Sequence, residues 1–168
     1  AGNAVLDVDR DGDLDIIFPG ESRSNEIWWW ENPYPKYDPG KNWTRYNVKK
    51  SGENKHHDLM TGDFDKDGDP ELVFWNQGAT TLYIAEIPAE PKKVAEWPRK
   101  PVYTYDDDSE MEPKGGVAAY PVWRGRNEYE GLAKAVIDGD GLIDIIGGGR
   151  WFKYLGNGEF RENLVDAS

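Results

Sequence analysis

The sequence predicts an all-β chain of three four-stranded antiparallel units, on three observations. An acidic loop with a glycine at its turn occurs three times, a short apolar segment stands on each side of every copy, and two more strand-like segments follow each copy. The first loop reads Asp7-Val8-Asp9-Arg10-Asp11-Gly12-Asp13-Leu14-Asp15 and the second Asp63-Phe64-Asp65-Lys66-Asp67-Gly68-Asp69-Pro70-Glu71. The third, Val136-Ile137-Asp138-Gly139-Asp140-Gly141-Leu142-Ile143-Asp144, keeps the glycine and the last acid in register and lacks the first aspartate.

The strands follow in order. Segments 3–6, 59–62 and 132–136 enter the loops, and 16–18, 72–75 and 145–147 leave them, so each loop is the tip of a hairpin. The third and fourth strands are expected at 26–30 and 45–48, at 81–86 and 102–105, and at 151–154 and 160–164. Turn residues separate them, as in Pro19-Gly20, Asn32-Pro33 and Gly156-Asn157-Gly158. Four antiparallel strands per unit make a β-propeller blade. The expected blades are about 1–50, 51–106 and 128–168 of one domain, with 107–127 as a long excursion between the second and third. The loops begin 56 and then 73 residues apart, wider than the roughly 40–50 residues of compact blade repeats, which is why surface excursions are expected. In Trp28-Trp29-Trp30, alternation sends Trp29 to one face of its sheet and its neighbours to the other.

Charge narrows the function. With 32 acidic against 20 basic residues the net charge is −12, which repels phosphate backbones and argues against a nucleic-acid partner. Clustered carboxylates are costly without a cation, so the acid surplus points to hard metal ions. Cysteine is absent, which excludes thiolate sites and disulfides. No apolar run is long enough to predict a membrane span. Eight Trp and nine Tyr supply rings for packing between sheets or for flat ligand surfaces.

The acidic loop followed by an apolar strand, and then an aromatic strand ending Trp30-Glu31-Asn32, resembles the FG-GAP/VCBS repeat family over nearly the whole chain. The resemblance implies a β-propeller, usually seven-bladed, in secreted or cell-surface proteins, with the periplasm as the other compartment. Three blades do not close a ring, so the remaining blades are expected from the same longer chain, the favoured expectation, or from another copy. Residues carried across from the family imply calcium ligands. Asp7, Asp9, Asp11 and Asp15 would bind through carboxylates and Asp13 through its carbonyl. In the second loop the set is Asp63, Asp65, Asp67 and Glu71 with the Asp69 carbonyl. The third keeps Asp138, Asp140, Asp144 and the Leu142 carbonyl, and is expected to be weaker or empty. Calcium saturated with protein oxygens stabilises rather than catalyses. The alternative is that the acids cap solvated turns.

Three functions are carried forward. The first is a calcium-stabilised binding module, for a polysaccharide or another protein, with Tyr120, Trp123, Arg126 and Tyr129 as ligand-binding candidates. The second is a catalytic propeller of a polysaccharide lyase or glycoside hydrolase. Aligning the loops sets His57 opposite Glu130 and His56 opposite Tyr129; His56, His57, Glu128 and Glu130 are the acid/base candidates and Arg124 a further catalytic candidate, against the reading that they are ordinary loop residues. The third is a structural segment of a surface assembly.

Overall fold

The computed structural model describes residues 2–105 and 129–165. It is all-β, in three four-stranded antiparallel sheets, each in chain order from one edge to the other. The first sheet holds β1 (Ala4–Leu6), β2 (Asp15–Pro19), β3 (Ile27–Glu31) and β4 (Thr44–Lys49). The second holds β5 (His56–Gly62), β6 (Glu71–Asn76), β7 (Thr81–Glu86) and β8 (Arg99–Thr104). The third holds β9 (Ala133–Ala135), β10 (Asp144–Gly147), β11 (Arg150–Gly156) and β12 (Glu159–Leu164). The described helical structure is two single 3-10 turns, Glu21–Arg23 and Pro91–Lys93. No helix among the described residues is long and apolar enough to cross a membrane. The expected excursion at 107–127 lies outside the described residues.

Two apolar cores lie between the sheets, and strand alternation decides what fills them. Between the first and second sheets, Ile17, Ile27, Trp29 and Val48 meet Leu59, Leu72, Phe74 and Trp97. Between the second and third, Val73, Trp75, Leu82 and Ile84 meet Ile145 and Phe152. Trp29 is fully buried and stacks on Tyr46 at 4.7 Å, whereas Trp28 and Trp30 turn to the opposite face. The central strand β6 contributes to both cores, so all six of its residues are buried.

The repeat also identifies an open face. Leu72 and Phe74, one and three residues after the closing acid of the second loop, bury completely against the first sheet. Their counterparts Ile16 and Phe18 look the other way, toward no sheet among the described residues, and Phe18 is 40% exposed. With Trp30, Trp43, Arg45, Lys41 and Asn42 they line an open groove of about 630 Å³.

Two strands start three residues before the expected position, while the other starts agree to within one residue. β5 begins at His56 because a bulge between His57 and Leu59, with Asp58 at φ 43°, resets the alternation and extends the pairing backward. β8 begins at Arg99 and contains Pro101, which an outermost strand tolerates because one side of its ladder is unpaired.

Candidate metal centre

The three acidic loops share one backbone. The turn glycines Gly12, Gly68 and Gly141 take φ of +99°, +99° and +82°, where a side chain is strained. Two residues earlier, Arg10, Lys66 and Gly139 are also left-handed. The closing acid ties each loop in the same way: Val8 N–H donates to Asp15 Oδ2 at 3.0 Å, Phe64 N–H to Glu71 Oε2 at 2.8 Å, and Ile137 N–H to Asp144 Oδ2 at 2.8 Å. The first acid, where present, gathers the turn. Asp7 accepts from the Asp11 and Gly12 amides and Asp63 from the Gly68 amide.

These bonds leave oxygens over. Asp63, Asp65, Asp67 and Glu71 each offer a carboxylate oxygen within 4.8 Å of the others, and Asp7, Asp9 and Asp15 do the same in the first loop. Among the described residues, Glu71 Oε1 and Asp63 Oδ1 are buried without a hydrogen-bond partner, as is Asp9 Oδ1. Glu71 is 1% exposed and the Asp9 side chain 6%. A buried, unpartnered, ionised carboxylate is strongly unfavourable, and a hard divalent cation taking oxygen ligands removes the cost at several such atoms together. The donor set therefore fits calcium. Without a cation, burial pushes Asp15 up to about 6 and Glu71 up to about 8, and burial raises Asp144 as well.

Asp13 and Asp69 stand at the position expected to contribute a carbonyl. The Asp69 side chain pairs with Arg10 of the first loop at 2.9 Å, linking the two turns. Reading the sequence missed three charged residues beside the loops. Glu31, at the end of β3, lies within 4.8 Å of Asp9 and Asp11. Lys92, from the 3-10 turn of the second sheet, contacts Asp9 at 2.5 Å and Glu31 at 2.6 Å. Lys153 on β11 pairs with Asp138, and with Asp140 at 2.8 Å. Hydrogen bonding to Asp138 and Asp140 holds its ammonium above the ordinary lysine range.

The other candidates divide. His57 Nε2 lies 3.8 Å from Glu130 Oε1. His56 does not join them. It is fully buried in β5 against Phe74, its ring nitrogens lack well-formed hydrogen bonds among the described residues, and burial pushes its pKa down to about 3, unlike the exposed loop position expected for it. Tyr129 is not a free platform either: its ring packs on Tyr105 and Trp75 at 4.5 and 5.5 Å, and its hydroxyl accepts from Arg150 at 2.8 Å. Tyr120, Trp123, Arg124, Arg126 and Glu128 lie outside the described residues.

Residues 7–74 match the family model of the FG-GAP-like repeat. The match runs from the first acid of the first loop into β6 and contains both complete acidic loops. No curated protein matches the chain.

Proposed function

From the premise that residues 7–74 are an FG-GAP-like repeat forming propeller blades, we propose that the chain is a calcium-stabilised propeller segment serving as a binding module of an extracellular or cell-surface protein. The observation that carries the metal reading is the convergence of Asp63, Asp65, Asp67 and Glu71, with buried oxygens that no donor among the described residues satisfies. Calcium is structural in this reading. The ion joins the strand entering the loop to the strand leaving it, and so fixes the hairpin, which in the second sheet packs into both cores. The partner is a polysaccharide or another protein, supported by the aromatic and arginine content of the sequence at 106–128. The groove over Ile16, Phe18 and Trp30 receives a further blade, because the equivalent face of the second sheet is buried against the first. The catalytic alternative retains the approach of His57 to Glu130 as its support.

Glu71→Gln tests the metal reading through a change of sign. In metal-free protein the Glu71 carboxyl rises from 4.5 to about 8 on folding. Its stabilising contribution is therefore complete below pH 4.5 and is lost as pH rises through 8, because only the folded chain still holds the proton. Glutamine keeps an oxygen for the Phe64 amide and carries no charge. We expect the variant to match or exceed wild type in chelator at pH 8, with a flatter pH profile, and to be less stable than wild type in calcium. Urea unfolding midpoints read both. A variant that loses equally under the two conditions would mean that Glu71 serves packing alone.

A further inference from the structure

We propose that the third acidic loop carries its own cation, the Lys153 ammonium, and holds its shape without metal. The inference rests on the calcium reading of the first two loops and extends it. Strand register supplies the argument. The closing acid of each loop faces one residue on the next strand of its sheet. Glu71 is paired directly with Glu86, and the pairings Ile16 with Trp30 and Ile145 with Phe152 place Glu31 opposite Asp15 and Lys153 opposite Asp144. Glu31, Glu86 and Lys153 are thus the same position in three sheets.

Like charges directly opposite on one sheet face are destabilising, so two glutamates there are tolerable when a cation sits between the acids. In the third sheet a lysine replaces the glutamate, and its ammonium bridges Asp138 and Asp140, the two middle acids of the loop. The other departures agree with this. Val136 stands where the first acid would be, and Asp138, Asp140 and Asp144 form no three-carboxylate cluster among the described residues. The backbone still turns as in the other loops, through Gly139 and Gly141, with Asp138 accepting from the Asp140 amide at 3.2 Å and Asp140 from the Leu142 amide at 2.8 Å. In the first loop Lys92 comes from a neighbouring sheet and meets Asp9 and Glu31, leaving the Asp7, Asp9 and Asp15 cluster intact. Lys153 comes from its own sheet and lies on the loop itself.

Two readouts test this, and they separate it from the calcium reading. Amide exchange at Asp140 and Leu142 is expected to be the same in calcium and in chelator for wild type, and roughly three- to tenfold faster in Lys153→Met, the scale of losing an exposed ion-pair network. Calorimetric titration with calcium alone is expected to count two ions in wild type and three in the double variant Val136→Asp/Lys153→Glu. Exchange that slows with calcium in wild type, exchange unaffected by Lys153→Met, a wild-type count of three, or a folded double variant that stays at two would each overturn the proposal. A wild-type count of zero with Lys153-dependent exchange would sink the calcium reading and leave the tethered cation standing.

Discussion

Excess chelator is expected to lower the thermal unfolding midpoint of the wild-type chain by roughly 10–20 °C relative to saturating calcium. Each ion that binds only the folded state, at a hundredfold excess over its dissociation constant, adds about 2.7 kcal/mol, so two sites add about 5 kcal/mol. For a chain of 168 residues, each kcal/mol moves the midpoint by roughly 2–4 °C. The effect is large because the same carboxylates act twice. With calcium they are ligands, and without it Asp9 Oδ1, Asp63 Oδ1 and Glu71 Oε1 stay buried with no hydrogen-bond partner among the described residues. Magnesium at the same concentration is expected to restore less, since it demands a tighter octahedral shell and gives up water reluctantly. A differential scanning experiment reads both. Equal midpoints in calcium and chelator would mean that the acids cap solvated turns.

The second large effect is expected in the first core. Trp29→Ala should cost about 3–5 kcal/mol, the range for deleting a fully buried large aromatic side chain. Trp29 has no exposed surface, packs with Ile17, Ile27, Phe74 and Trp97, and stacks on Tyr46. Its indole N–H has no hydrogen-bond partner among the described residues, so the loss is one of packing. Trp30→Ala, one residue along, should cost about 1 kcal/mol, since it removes a half-buried ring from the open face. Chemical denaturation of the two variants gives the difference. Equal costs would show that the face of Ile16 and Phe18 is as closed as the core, against a further blade seating there.

Most of the fold was legible because its signals are local. Alternation across the three tryptophans, the acidic turns and the Gly-Asn-Gly hairpin each specify structure within a few residues, and all twelve strands follow from such signals. Where strand starts differ, a bulge at Asp58 and a proline on an edge strand broke the expected pattern. The site was less legible for a related reason. The acids of each loop are consecutive in sequence, but Glu31, Glu86 and Lys153 reach their loops through cross-strand register, and Lys92 through packing between sheets. Counting from each closing acid to its partner strand would have aligned the first three. Nothing local to Lys92 marks it. The fate of His56 was hidden likewise, since its neighbour His57 is half-buried beside Glu130 while His56 turns into the core.

Whether calcium sits in the two complete loops is decided by long-wavelength anomalous diffraction from crystals grown with calcium. A strong peak is expected in each of the loops 7–15 and 63–71, with carboxylate oxygens at about 2.3–2.6 Å, the range for calcium. Crystals with both loops ordered and no peak in either would contradict it.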